Sequence, residues 1–108
     1  VTDLNKMTVG ESSQVVAARV GRAFERQIAR QGVVNARLSV KQVDAFCVPD
    51  EAARELLAKA MERLNWSARV YHRVLRVART IADLENVRVI NGSHVAQAIQ
   101  YRRALKAA

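Results

Sequence analysis

Arginines supply most of the polar chemistry that this sequence offers. Fourteen of its eighteen basic residues are arginine, and Arg69, Arg73 and Arg76 recur at steps of four and three after Trp66. On a helix these three share one face with Thr80, and an apolar stripe lies on another face. A guanidinium donates two parallel hydrogen bonds to a phosphate or carboxylate, so the column is suited to binding an anion, although a merely solvated face fits the same pattern. The stripe consists of Val70, Val74, Val77, Ala78 and Ile81.

A second row of arginines runs along the first predicted helix. Its members step by three, four and four, and they are Arg19, Arg22, Arg26 and Arg30. Such a row could follow a phosphate backbone or bind an acidic surface on another subunit, and a solvated face partly neutralised by Glu25 is the alternative. The net charge of +8 favours a phosphate-bearing partner. A membrane surface is not favoured, because no helix combines a bulky apolar face with flanking lysines.

Residues for autonomous catalysis or metal binding are missing from the sequence. It has no glycine-rich phosphate loop, no acidic pair after an apolar strand, no H-E-x-x-H motif and no convincing Ser/His/Asp set, so it cannot hydrolyse a nucleotide alone. No metal site is expected, since Cys47, His72 and His94 lack ligand spacing. Cys47 is expected to pack as a small hydrophobe and His94 to make structural hydrogen bonds. The single cysteine and the absence of a long apolar run predict a soluble, cytoplasmic protein.

The apolar periodicity predicts an all-α fold, a compact bundle of four main helices and one short helix. We expect residues 1–10 to be a linker from a missing preceding domain and residues 11–108 to form one helical domain. The predicted helices cover residues 11–31, 39–46, 50–64, 67–84 and 94–105. Residues 87–90 are expected to be briefly extended.

Side-chain types predict where these helices begin and end and which faces they bury. Ser39, Ser67 and Ser93 are expected N-caps, and Gly32 is the expected C-cap of the first helix. Apart from the stripe given above, the predicted inward-facing residues are Val16, Val20, Phe24, Ile28, Val40, Val43, Phe46, Ala53, Leu56, Leu57, Ala60, Met61, Leu64, Val95, Ala98, Ile99 and Leu105.

The sequence resembles the C-terminal helical lid domain of magnesium chelatase-like AAA+ ATPases, in the branch that includes the competence protein ComM. Ser-Ala-Arg-x-Tyr-His-Arg followed by Val-Ala-Arg-Thr-Ile-Ala-Asp-Leu, within residues 67–84, carries most of this resemblance. It extends to residues 13–20, 26–27 and 94–102, and so covers most of the chain. The Walker motifs of the family are absent, so every expectation of catalysis belongs to the intact protein.

The resemblance implies a role for Arg69 in a larger machine. Arg69 matches the family's sensor 2 arginine, which contacts the nucleotide phosphates, and Arg73 is the second candidate. ATP and magnesium would be bound mainly by the missing core, and the expected partners are that AAA+ core, further copies in a homo-oligomeric ring, expected to be a hexamer, and DNA. The implied activity is remodelling of DNA, as a helicase or branch-migration enzyme. Two alternatives are an autonomous basic DNA-binding module and the lid of a chelatase-type motor that acts on a protein partner.

Overall fold

The computed structural model describes residues 12–107, with side chains as far as Arg103, and the expected linker 1–10 lies outside this range. Within it the chain forms five α-helices and one 3-10 turn, which confirms the all-α prediction. The helices are α1 (Ser13–Gln31), α2 (Val40–Phe46), α3 (Glu51–Arg63), α4 (Ala68–Leu84) and α5 (Gly92–Ala107), and the 3-10 turn is Asn35–Arg37. No described helix is both long and apolar enough to cross a membrane.

Polar side chains fix the helix starts. The Ser67 hydroxyl accepts a hydrogen bond from the amide of Val70, and Ser39 forms a capping box with Gln42, so both predicted caps are confirmed. Gly32 ends α1 in the left-handed conformation, with φ of 81°, also as predicted. The predicted Ser93 cap is wrong. α5 begins earlier, and the side-chain oxygen of Asn91 accepts from the amide of His94 at 3.2 Å.

α4 is the central helix of the bundle. It packs against α1, α2, α5 and the 3-10 turn, and the apolar core collects around its buried face. The predicted stripe faces this core, and Leu75, which the stripe omitted, is also buried. Cys47 is 1% exposed and packs there as a small hydrophobe, as predicted. The buried core residues are Leu38, Val43, Cys47, Ala53, Leu57, Val74, Leu75, Ala78, Ile90, Val95 and Ala98.

The predicted inner face of α1 is wrong. Phe24 and Ile28 are 49% and 50% exposed, and Val20 is 37% exposed, whereas Ala23 and Gln27 are buried. The helix is therefore turned by about one residue, or roughly 100°, from the predicted orientation. Polar contacts with α4, described below, hold it in this orientation. Apolar periodicity alone predicts the helix but not which face it buries.

Two further inward predictions fail at helix ends. Val40, the first residue of α2, is 54% exposed, and Leu64, at the C-terminal cap of α3, is 46% exposed. The apolar pattern continues there past the edge of the core. Leu105 lies outside the described side chains. The expected extended piece is reduced to one parallel bridge between Pro49 and Ile90.

Candidate functional site

Arg69 lies at the second position of α4, and its side chain is exposed. Within the described part of the chain its guanidinium has no hydrogen-bond or ion-pair partner. The Ser67 cap fixes the backbone at this point, because its hydroxyl accepts from the amide of Val70 at 3.3 Å. The first turn of a helix also carries unsatisfied amides and the positive end of the helix dipole. The backbone at Arg69 is therefore fixed, and its exposed side chain can meet an anion from solvent beside the start of α4.

Arg73 follows one turn later and is also exposed. Residues four apart on a helix are neighbours on its surface, with β-carbons about 5–6 Å apart. Arg69 and Arg73 thus form an exposed pair, and together they could contact one polyanionic group. We call these two residues the α4 arginine pair.

The other two residues of the predicted column, Arg76 and Thr80, make hydrogen bonds within the domain. Arg76 donates from Nε and Nη2 to the carbonyl of Leu38, at 3.2 and 2.9 Å. Thr80 donates to the carbonyl of Arg76 at 3.0 Å and accepts from Asn35 Nδ2 at 3.1 Å. Arg76 and Thr80 therefore hold the segment before α2 against α4.

A buried network around Asp83 was not predicted from the sequence. Asp83 and Arg79 are 2% and 3% exposed. The Asp83 carboxylate accepts from Arg79 Nε at 3.1 Å, from Asn35 Nδ2 at 2.9 Å, and from Nη1 and Nη2 of Arg30 at 2.8 and 3.1 Å. Arg79 also donates to the carbonyls of Val87 and Arg88, at 2.7 and 2.8 Å. We call Arg30, Asn35, Arg79 and Asp83 the Asp83 network; it joins α1, the 3-10 turn, α4 and the loop before α5.

Charges in this network set the pKa of Asp83. Burial by itself would raise the pKa of the carboxyl, but hydrogen bonds from Arg30 and Asn35 and the charges of Arg79 and Arg30 outweigh burial. The pKa of Asp83 is therefore lowered from its ordinary value of 3.8, and the carboxylate is ionised at neutral pH.

One signal in the sequence could have revealed this network. Asp83 is the only acidic residue of α4 and stands in its last turn, beside the negative end of the helix dipole. An acid is disfavoured there unless nearby cations compensate it. Arg79, four residues earlier, is one such cation.

The predicted arginine row on α1 is divided by the same network. Arg30 is bound to Asp83 as described, and Arg26 Nη1 donates to the backbone carbonyl of Asp83 at 2.8 Å. Arg22 is exposed, while Arg19 is half-buried and has an interaction of its own. The four arginines therefore do not present one uniform free surface.

Both histidines have structural partners. His94 is fully buried, its Nδ1 accepts from the amide of Asn91 at 3.0 Å, and its Nε2 lies 3.0 Å from Glu85 Oε1, which confirms the expected hydrogen-bonding role. His72 Nδ1 lies 2.8 Å from the carbonyl of Ala68.

Burial raises the pKa of the Cys47 thiol to about 11. Among the described residues, no three His, Cys, Asp or Glu side chains are placed to hold a metal ion.

A cavity of about 470 Å³ opens beside the start of α4. Trp66, Ser67 and Val70 line it from this side, and Ile99 and Arg102 line it from α5. It lies next to the first turn that carries Arg69. Arg69 and Arg73 are not among its lining residues, so the cavity adds no contact to the α4 arginine pair.

These features define the class of the protein as an all-α domain built around one central helix, with arginines exposed at the start of that helix. Residues 10–102 match the family described as magnesium chelatase, subunit ChlI C-terminal, and the chain belongs to that family. It is thus a C-terminal domain of the magnesium chelatase-like AAA+ proteins, as its sequence motifs predict.

Three curated relatives support this assignment. The chain is 38% identical to the competence protein ComM of Haemophilus influenzae over 97 residues, which are 90% of the chain and 19% of that protein. It is 41% identical to the protein YifB of Salmonella typhimurium over 86% of the chain and 18% of the relative, and 39% identical to YifB of Escherichia coli over 92% and 20%. The chain therefore spans about a fifth of the length of the relatives it matches.

Proposed function

We propose that this domain is the lid of a ring-forming AAA+ ATPase and that Arg69 binds the nucleotide phosphates as a sensor 2-type arginine. The observation that carries the proposal is that the arginines of α4 fall into two groups, one hydrogen-bonded inside the domain and one exposed. Arg76 and Arg79 are bound within the domain, whereas the α4 arginine pair is exposed at the start of the helix. Arg69 is thus available to a ligand supplied from outside this domain.

The chemistry of phosphoryl transfer explains why an arginine would be placed there. During transfer, negative charge is spread over the equatorial oxygens of the γ-phosphoryl group. A guanidinium held in place offers two parallel donors and a full positive charge to those oxygens. Arg69 would bind and orient the phosphates, and Arg73 would add charge one turn away. The remaining contacts with ATP and with magnesium belong to the ATPase core of the intact protein.

Exposure of Arg69 would also couple the domain to the nucleotide state. A ligand shifts a conformational equilibrium only through different interactions with the two states. ATP and ADP differ in the γ-phosphate that Arg69 would contact, so hydrolysis would change the angle of the lid relative to its core and to the next subunit. This coupling would drive a ring, expected to be a hexamer, that remodels DNA in the cytoplasm.

ATP turnover by the intact protein tests the role of Arg69. Arg69→Ala is expected to lower kcat roughly a hundredfold, equivalent to about 2.7 kcal/mol of transition-state stabilisation. Arg69→Lys keeps a charge but loses the two parallel donors, and should recover little of the rate. Unchanged turnover in Arg69→Ala would exclude a sensor role.

Arg88→Ala is the matched control for loss of one positive charge. Arg88 is exposed and lies beyond the far end of α4, and only its backbone carbonyl is used by the Asp83 network. Turnover by this variant should stay within about twofold of the parent, consistent with the small effects of surface substitutions. Arg30 is unsuitable as a control, because its loss would disturb Asp83.

The alternative of an autonomous DNA-binding module has one observation in its favour, the exposed Arg22 on a chain of net charge +8. Titration of the 108-residue chain with duplex DNA over a range of salt concentrations separates it from the lid. For a module that contacts several phosphates, the logarithm of the binding constant falls with the logarithm of the salt concentration, with a slope of about 0.9 per phosphate contact. Arg22→Ala should make that slope shallower by the amount of about one contact. A lid without its own DNA site gives weak binding that Arg22→Ala does not change.

The second alternative, a chelatase-type motor acting on a protein partner, has its support in the description of the matching family. It keeps the same role for Arg69 and changes only the substrate of the intact protein. A DNA unwinding or branch-migration assay of that protein distinguishes the two. Loss of DNA remodelling together with ATP turnover in Arg69→Ala would support the DNA substrate, whereas an intact parent protein without any such activity would favour the chelatase type.

A further inference from the structure

The cavity beside the start of α4 has the composition of a ligand site. Its volume of about 470 Å³ lies within the usual range of small-molecule sites, about 300–1,000 Å³, which combine an apolar lining with a few polar groups. Its apolar lining residues are Leu64, Trp66, Val70 and Ile99, and its polar ones are Asn65, Ser67, Arg102 and Arg103. None of these described lining residues is acidic. The cavity therefore suits an anion that also carries an apolar or planar group.

The two arginines of the cavity are available to such an anion. Arg102 is half-buried and Arg103 is exposed, and within the described part of the chain neither guanidinium has a hydrogen-bond or ion-pair partner. Consecutive residues leave a helix about 100° apart, so the two side chains are suited to two neighbouring anionic groups. The Ser67 hydroxyl accepts from the amide of Val70 and still has its own proton to donate. The polar lining thus offers donors that the domain itself does not use.

Trp66 gives the cavity a planar wall. Its side chain is half-buried, and it both packs against the apolar core and lines the cavity. The core therefore holds the indole in place, while part of it stays accessible to a ligand. Proteins that bind single-stranded nucleic acid combine such aromatic rings, on which bases stack, with positive groups that follow the phosphates. Trp66, Arg102 and Arg103 provide both elements at one cavity.

We infer that this cavity binds one unpaired nucleotide of a nucleic acid strand, with the base against Trp66 and the flanking phosphates on Arg102 and Arg103. A duplex does not fit, because its bases are paired and stacked and must be flipped out before they can enter a cavity. ATP bound at the α4 arginine pair is a separate ligand, since neither residue of that pair lines the cavity. The net charge of +8 adds a general attraction for a phosphate polymer.

The fluorescence of Trp66 reports directly on this cavity, because the chain has no other tryptophan. Titration of the 108-residue chain with a short oligothymidylate, which forms no duplex, should quench this fluorescence to saturation. A duplex hairpin with the same number of phosphates should bind about tenfold more weakly or worse, because a base must first be flipped out. An oligothymidylate that leaves the fluorescence unchanged overturns the inference, and so does a duplex that binds as tightly as the single strand.

Arg102→Gln and Arg103→Gln test the phosphate contacts. Each variant should weaken oligothymidylate binding severalfold. Each should also make the slope of the logarithm of the binding constant against the logarithm of the salt concentration shallower by about 0.7, the value for one phosphate contact on a single strand. Arg88→Gln is the matched control, because it removes one exposed arginine beyond the far end of α4 and should change binding by less than about twofold. An equal loss in Arg88→Gln would show a general effect of charge and refute the site.

Trp66→Leu tests the base contact. Followed by the fluorescence anisotropy of a labelled strand, this variant should lose roughly tenfold in affinity, as expected for one stacked base. Its Tm must be measured as well, because Trp66 also packs against the core. Unchanged affinity in Trp66→Leu would contradict stacking. The two arginine variants keep the inference falsifiable if Trp66→Leu folds poorly.

Two other probes separate a strand from ligands of related chemistry. Thymidine monophosphate supplies a base and a phosphate without a strand, and polyglutamate supplies negative charges without a base. Each lacks part of the predicted contacts and should bind about tenfold more weakly than the oligothymidylate or worse. Equally tight binding of thymidine monophosphate would identify a free nucleotide as the ligand, and equally tight binding of polyglutamate would identify an acidic peptide; either result overturns the inference.

The intact protein tests whether the cavity stays accessible when the rest of the protein is present. Arg103→Gln should weaken binding of the oligothymidylate there as well. Unchanged binding would show that another part of the protein covers the cavity, and would overturn the inference. No ATP is present in any of these assays, so their outcome is independent of the proposed role of Arg69.

Discussion

Replacing Asp83 with asparagine removes the carboxylate that joins four parts of the domain. The substitution keeps the shape of the side chain and removes its charge. Arg79, 3% exposed, would then remain buried without its anionic partner, and Arg30 would lose its bidentate contact with α4. Because α1 is attached to α4 largely through these polar groups, its docking should weaken together with the core.

The size of the effect follows from the burial of the pair. Removing one partner of a buried ion pair costs about 3–5 kcal/mol, because the remaining charge is left uncompensated. Asparagine can still accept a hydrogen bond, so we expect about 3 kcal/mol. A domain of this size has a total stability of only about 5–15 kcal/mol, and the loss would be a large fraction of it.

Urea unfolding followed by circular dichroism measures this loss. Asp44→Asn is the matched control, because the Asp44 side chain is 67% exposed. Its one ion-pair contact, with His72 Nε2, is long at 3.5 Å and therefore weak. The control should lie within about 0.5 kcal/mol of the parent. A loss below about 1 kcal/mol in Asp83→Asn would show that the network does not hold the domain together.

The pH dependence of stability gives a second readout on the same residue. The folded-state pKa of Asp83 is lowered below the ordinary 3.8, so its contribution is fully present above that value and is lost as the pH falls through the folded pKa. The parent should therefore lose stability below about pH 4. In Asp83→Asn that part of the acid loss should be absent, and an unchanged acid profile would contradict the assignment.

Three further predictions concern the core, the start of α4 and the thiol. Leu57→Ala, at a residue 1% exposed, should cost about 2–5 kcal/mol in urea unfolding, and a cost below 1 kcal/mol would mean that the site collapses around the smaller side chain. Ser67→Ala removes the hydrogen bond to the amide of Val70 and should cost about 1 kcal/mol, with a lower kcat in the intact protein if the cap positions Arg69. Cys47, 1% exposed with its pKa raised to about 11, should react with a thiol reagent at pH 8 only as fast as the domain unfolds, and rapid labelling of the folded chain would contradict its burial.

Local signals in the sequence predicted the helices well. Ser39, Ser67 and Gly32 act within a few residues of themselves, through hydrogen bonds or backbone conformation, so their roles can be read without knowledge of the fold. The α4 stripe was also predictable, because its five apolar residues all lie on the same side of the helix, and that side is the one buried.

The orientation of α1 was not predictable in the same way. Its apolar residues favour burial of Phe24 and Ile28, but Arg26 and Arg30 find their partners at Asp83, more than fifty residues away in sequence. A contact of that kind depends on the tertiary arrangement and leaves no periodic signal. The same network explains why the arginine columns of α1 and α4 are divided between internal and exposed roles.

This division bears on how the proposed lid would work. α4 is held along its length by four other elements, and the Asp83 network fixes its last turn to α1 and to the loop before α5. A force applied to Arg69, in its first turn, would therefore move the domain as one body instead of bending a single helix. If so, Asp83→Asn in the intact protein should uncouple ATP turnover from DNA remodelling at temperatures where the domain is still folded. Equal losses of turnover and remodelling would instead show that the network contributes only stability.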